Sequence, residues 1–139
     1  MKKNIEVVMI GLGYIGLPTA ALIAGNKTQV HGVDINQQVV DTINQGKIHI
    51  VEPSLEEEVA RAVSQGYLKA ATTPVAASTY LIVVPTPFKA KNEPDISFVQ
   101  AATKAILPLL KEGDLYIIES TSPVGTTEKM MAYIHEERP

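Results

Sequence analysis

The sequence predicts an α/β fold of the Rossmann type, a doubly wound parallel sheet with five strands in the order 3-2-1-4-5. Three observations lead there. An apolar run, Val7-Val8-Met9-Ile10, feeds directly into Gly11-Leu12-Gly13-Tyr14-Ile15-Gly16, a G-x-G-x-x-G turn. An alanine-rich helical stretch follows, and then a second short strand pattern that ends on Asp34. From there to the last residues, apolar runs alternate with helical patterns, which implies right-handed crossovers and parallel strands.

Each element has a local reason. The first strand, expected from Ile5 to Ile10, is apolar throughout, as suits a central strand buried on both faces. A helix is expected from Tyr14 to Ala24, with Gly25 as its stop and Pro18 tolerated near its start. Gln29 to Val33 reads as the second strand and Gln37 to Asn44 as the second helix. The segment from Gly46 to Pro53 reads as an irregular connector. Ser54 with Glu57 forms a capping-box pattern, which predicts a helix from Leu55 to Ser64. A strand from Tyr67 to Thr72 and a brief helical turn from Pro74 to Ser78 come next. Tyr80 to Val84 is a buried strand stopped by Pro85-Thr86-Pro87. Asp95 to Leu110 reads as a helix whose last turns Pro108 disturbs. Leu115 to Glu119 is the fifth strand and Thr126 to His135 the last helix.

Composition excludes several classes. The chain has 139 residues, 45% of them hydrophobic, so a packed core rather than disorder is expected. Net charge is −3 and the lysines are scattered, which leaves no cationic face for nucleic acid. There is no cysteine, hence no disulfide, no thiolate metal site and no thiol nucleophile on this chain. His31, His49 and His135 show no metal-ligand spacing and are expected in structural or surface positions. Lys2 and Lys3 precede an uncharged run from Val7 to Gly25, the outline of a signal peptide or a membrane span. Gly11, Gly13, Gly16 and Pro18 break that run where a strand should become a helix, so a cytoplasmic protein without a membrane segment is expected.

The turn and the acid together predict an NAD site. Gly11 permits the tight turn, Gly13 lets a pyrophosphate approach the backbone, and Gly16 allows the helix to pack closely. Amides near Tyr14 and Ile15 would face the phosphates at the positive end of the helix. Asp34 lies about 20 residues past the glycines, where a carboxylate accepts from the adenosine ribose. It would also repel a 2′-phosphate, by roughly 4 kcal/mol at 4 Å and an effective dielectric of 20 before solvent screening. NAD is therefore favoured over NADP. A methyltransferase-like nucleotide fold is the alternative use of such a turn. Two more segments sit at strand ends. Thr86 can present its hydroxyl to the cofactor, or the Pro85-Thr86-Pro87 segment is only a rigid turn. The hydroxyls from Ser120 to Thr127 can serve the nicotinamide end, or they only cap a helix. Lys89 and Lys91 are better read as solvated loop residues.

The Gly11-to-Pro18 segment, Val84-Pro85-Thr86-Pro87 and Glu119-Ser120-Thr121-Ser122-Pro123-Val124-Gly125 together resemble the UDP-glucose/GDP-mannose dehydrogenase family. The connector from Gly46 to Pro53 and Pro85-Thr86-Pro87-Phe88 are similar to members acting on UDP-N-acetyl-D-mannosamine, the substrate the resemblance implies. The family oxidises the C6 hydroxymethyl of a nucleotide sugar to a carboxylate in two hydride transfers to NAD. The resemblance implies that Tyr14, Ile15, Asp34, Thr86 and Thr127 contact NAD, and that Thr121 lies near the nicotinamide and the catalytic water. It further implies that residues 1–139 are the NAD-binding domain of a longer enzyme. The family's catalytic cysteine, lysine and asparagine belong to a middle domain, and its full-length members are expected as homodimers. By itself the stretch is expected to be inactive, and its fifth strand is expected to be an edge open to self-association. Three alternatives stay open: a UDP-glucose or GDP-mannose 6-dehydrogenase, a stand-alone NAD-sensing regulatory domain, and a hydroxyacid or 6-phosphogluconate-type dehydrogenase domain.

Overall fold

The structure, a computed structural model, describes residues 5–85, 95–120 and 124–137. Its strands are β1 (Val7–Ile10), β2 (Val30–Val33), β3 (Leu68–Ala71), β4 (Thr79–Ile82) and β5 (Leu115–Ile118). They form one parallel sheet in the order β3-β2-β1-β4-β5, as the sequence predicts. The helices are α1 (Gly16–Gly25), α2 (Gln37–Asn44), α3 (Leu55–Ser64), α4 (Ser97–Ile106) and α5 (Thr126–Glu137). Each strand is one or two residues shorter than the run expected for it, and β4 begins one residue earlier than expected, at Thr79.

Alternation along the strands builds two cores. Met9 and Leu81 face α1, α2 and α3, where Leu17, Ala20, Ile43 and Val59 are buried. Val8, Ile10, Tyr80 and Ile82 face the other side, packed with Val99 and Ile106 of α4 and Met130 of α5. Each large aliphatic side chain so buried contributes about 1.5–3 kcal/mol. The small face of α1, with Ala20, Ala21 and Ala24 all buried, lets that helix lie close to the sheet and to α3.

Four expectations need correction. The first helix begins at Gly16, not Tyr14, because residues 13–15 form the turn itself. Helix α3 has the expected bounds, but Ser54 does not cap it. Its φ is 65°, left-handed, and its side chain makes no capping bond. An N-cap aims its hydroxyl from extended backbone, which this conformation forbids. Glu56, Glu57 and Glu58 stand in the first turn instead, against the positive end of the helix. The helical turn expected over 74–78 is absent. Ala77 donates its amide to the Tyr80 hydroxyl and Ser78 its hydroxyl to the Glu6 carbonyl, so these groups are satisfied without a turn. Finally, α4 starts at Ser97, whose amide donates to the Asp95 carboxylate. Pro108 acts as expected, tightening the chain after α4 into a short 3₁₀ turn, Leu107–Leu109.

Three polar fixtures tie the elements together. On the α4 side, Thr103 donates to the Val99 carbonyl and shares a hydrogen bond with the Tyr116 hydroxyl. Burial pushes the Tyr80 and Tyr116 phenols above their ordinary value, so both stay neutral. His31 is buried on β2 and bonds the Thr73 carbonyl at 2.9 Å, a structural role. At the opposite edge, Asn44 at the end of α2 donates to the Ala70 carbonyl and accepts from the Ala70 amide, both at 2.9 Å. Its amide thus stands in for a neighbouring strand along β3. The other margin is open. Among the described residues β5 pairs only with β4, and Leu115 and Ile117 are exposed. Asn44→Ala is expected to destabilise the domain by about 1–3 kcal/mol, because it orphans two backbone groups. The midpoint of urea unfolding measures this, and an unchanged midpoint would show that water replaces the amide at no cost.

Candidate cofactor crevice

The direction of strand addition reverses at β1, with β2 on one side and β4 on the other. The chain leaves β1 toward α1 on one face and β4 toward α4 on the other. A crevice therefore opens at the C-terminal ends of β1 and β4, where open α/β sheets take their ligands. The glycine turn stands at its mouth.

Two of the three glycines are required by the protein itself. Gly11 has φ +106°, and a Cβ there would lie 2.4 Å from the Val83 carbonyl oxygen. A Cβ on Gly16 would lie 1.8 Å from the Gly11 carbonyl oxygen. The constraint on Gly16 is thus closure of the turn on itself. Helix-to-sheet packing, the sequence-based expectation, adds only an ordinary contact at 3.6 Å to the Val83 side chain. Gly13 differs. It is exposed, and a Cβ there would meet nothing within 4 Å. Its missing side chain leaves open space in front of α1. Among the described residues, no protein acceptor takes the amides of Gly13, Tyr14 and Ile15. Unpaired amides before a helix carry partial positive charge. The side chains of Tyr14 and Ile15 are 68% and 56% exposed and contribute little to the fold.

Asp34 is held at the other side of the turn. Its Oδ2 accepts from the Leu12 amide at 3.2 Å and its Oδ1 from the Asn36 amide at 3.0 Å. Each oxygen keeps acceptor capacity, since an ionised carboxylate offers about four lone-pair sites. Ile35, directly after it, is 87% exposed. The sequence did not point to Leu12, which is fully buried within the turn, nor to Gly32 of β2 beneath it. A glycine inside a buried strand was the available signal.

The hydroxyl-rich segment divides. Ser120 donates to the Val84 carbonyl at 2.8 Å and so joins the exits of β4 and β5. Thr126 is buried, while Thr127 is exposed in the first turn of α5, after Gly125 with φ +90°. Thr86 and Thr121, and with them Lys89 and Lys91, lie outside the described residues. His49 and His135 are exposed, and the described residues contain no cluster of three metal-ligating side chains. No described helix is long and apolar enough to cross a membrane.

Unpaired amides at a helix head fit a diphosphate, and an oriented carboxylate fits a pair of ribose hydroxyls. The two lie on one turn, linked by the Leu12–Asp34 hydrogen bond. The residues present therefore fit NAD.

Comparison with known proteins agrees. Residues 5–139 match the NAD-binding domain of the UDP-glucose/GDP-mannose dehydrogenase family. UDP-N-acetyl-D-mannosamine dehydrogenase of Escherichia coli is 59% identical over 96% of this chain and 32% of that enzyme. NDP-N-acetyl-D-galactosaminuronic acid dehydrogenase of Ralstonia nicotianae is 56% identical over 96% of this chain and 31% of that enzyme. Among solved structures, the UDP-N-acetyl-mannosamine dehydrogenase Cap5O of Staphylococcus aureus superposes with a TM-score of 0.91 at 42% identity, over 95% of this chain and 32% of that one. The chain thus spans about a third of the length of the relatives it matches. Fold, glycine turn and family match converge: the chain belongs to the UDP-glucose/GDP-mannose dehydrogenase family and forms its NAD-binding domain.

Proposed function

We propose that residues 1–139 are the cofactor domain of a longer nucleotide-sugar 6-dehydrogenase. In this reading the NAD pyrophosphate rests on the amides of Gly13, Tyr14 and Ile15, between Gly11 and Gly16, and Asp34 grips the adenosine ribose. Thr86, Thr121 and Thr127 line the nicotinamide end, with Thr121 also near the catalytic water. The observation that supports the cofactor's placement is the open space at Gly13, a glycine for which the described protein offers no other need.

NAD accepts hydride; this chain's part is to hold it. The substrate reading is UDP-N-acetyl-D-mannosamine, oxidised at C6 to the uronate in two hydride transfers. It is supported by the 59% match to the Escherichia coli enzyme. A second reading, a nucleotide sugar of the N-acetylgalactosamine type, is supported by the 56% match to the Ralstonia enzyme. A thiol needed to capture the intermediate aldehyde would come from outside these residues, since the chain has no cysteine. The family resemblance supports a cytoplasmic homodimer for the whole protein.

Three outcomes are expected. Gly13→Ala should leave unfolding stability within about 0.5 kcal/mol of the parent, as its Cβ points into open space. It should still weaken NAD binding about tenfold or more, or about 1.4 kcal/mol. Gly16→Ala should lose stability and binding together. Calorimetry and thermal unfolding of the pair separate ligand-imposed from fold-imposed glycine, and full NAD affinity in Gly13→Ala would refute the placement. Calorimetry should also show NAD bound about tenfold or more tightly than NADP, with Asp34→Asn narrowing the gap. Equal affinities in the parent would remove Asp34 from the ribose site. With UDP-N-acetyl-D-mannosamine, the full-length protein should release two NADH per sugar, whereas residues 1–139 alone should release none. One NADH per sugar would overturn the two-step oxidation, and turnover by the isolated stretch would overturn its dependence on an outside thiol.

A further inference from the structure

Gly32 is an anomaly in the fold. It sits inside β2, paired with Met9 of β1 on one side and Ala70 of β3 on the other. Glycine in a strand interior weakens the strand, and it marks places where something approaches closely. What approaches is Leu12. A Cβ on Gly32 would lie 2.8 Å from one Leu12 methyl carbon, 3.0 Å from the other and 3.4 Å from Cγ. Leu12 is fully buried, and so has little free volume into which to turn away. The side chain of the residue between the two loop glycines therefore reaches down onto the bare backbone of β2. There it shares the core with Leu17 and Val40.

This contact acts on Asp34, two residues further along the chain and just past the end of β2. The amide of Leu12 donates to Asp34 Oδ2 at 3.2 Å, so the depth at which Leu12 seats sets the distance between turn and carboxylate. The Asn36 amide fixes only the other oxygen. We infer that Gly32 is a positioning residue for the dinucleotide site: it seats Leu12, and through the Leu12 amide it sets the carboxylate of Asp34 for the adenosine ribose. The inference rests on the proposed ribose role of Asp34 and adds the means by which that role is set.

A side chain at 32 would lift Leu12 and its amide away from Asp34. The carboxylate would lose one of its two amide partners and with it a fixed orientation. Grip on the ribose hydroxyls should suffer more than general affinity for the diphosphate, which rests on other amides.

The test measures binding of NADH, and of its analogue lacking the adenosine 2′-hydroxyl, to the full-length protein, by nicotinamide fluorescence. The parent should prefer NADH about tenfold, the worth of a charge-assisted hydrogen bond. Gly32→Ala should reduce that preference to about twofold or less, and Gly32→Ala combined with Leu12→Val, which removes the two clashing methyl carbons, should recover most of it. A purely structural role for Gly32 would lower the melting temperature and leave the preference intact. If the parent shows no preference, the ribose role of Asp34 fails and this inference with it. If the parent shows the preference and Gly32→Ala keeps it, only the inference is overturned. Should Gly32→Ala not fold, Leu12→Ala, which leaves β2 unchanged, carries the same measurement: a collapsed preference supports the positioning role and an intact one overturns it.

Discussion

One steric fact organises this domain: the carbonyl oxygen of Gly11 occupies the place where a side chain on residue 16 would begin. A turn that tight can be made only by glycine at both ends. It fixes where α1 starts, and so where its unpaired amides point. Between its end glycines Leu12 alone is buried, turned inward onto the bare backbone of Gly32. The left-handed φ at Gly11 and the Val83 carbonyl behind it close the turn from the sheet side. Removing any of these contacts would relax the loop and blunt the anion site at the helix head.

The sheet supplies the platform on which that turn is rigid. β1 is flanked by β2 and β4 in register, and the ladder continues past the strand ends. The Gly11 amide donates to the Val33 carbonyl and the Val83 amide to the Ile10 carbonyl, both at 2.8 Å. The mouth of the crevice is therefore bound to both neighbouring strands at the point where the chain departs to opposite faces. Two separate cores, one under α1 to α3 and one under α4 and α5, then resist any tilt of the sheet. Function-bearing loops stand on elements that cannot easily move, which is what an oriented carboxylate needs.

Much of this was legible in the sequence. Strand order, the helices over 37–44 and 55–64, and the turn itself follow from periodicity and from glycine spacing, which are local signals. What escaped was set by tertiary contact. Ser54 with Glu57 has the composition of a capping box, yet the connector enters α3 through a left-handed residue and the box does not form. The 74–78 segment has turn residues, but Tyr80 and Glu6 take its polar groups. Within the site the positions of the turn glycines were readable from residue type and spacing, although the contact that requires Gly16 was not. Leu12 and Ser120 were not. A leucine is an anchor, and a serine a strand tie, only once the partner at Gly32 or Val84 is known.

The same distinction bears on what this stretch can select. In the proposed reading, cofactor binding draws on amides, a bare glycine and one carboxylate, none of which touches the sugar. Relatives named for a mannosamine and for a galactosaminuronic acid are 59% and 56% identical to this chain, over the same share of it. Identity over this stretch therefore scarcely separates the two sugars. Discrimination between epimeric sugars needs groups placed against particular hydroxyls, because a site built to bond a hydroxyl rejects an analogue that leaves its polar groups unpaired. In the crevice the described carboxylate is already committed to the turn at one oxygen and to the Asn36 amide at the other. Its remaining capacity suits ribose hydroxyls, so in the proposed reading the choice of sugar falls to residues outside the glycine turn and its acid.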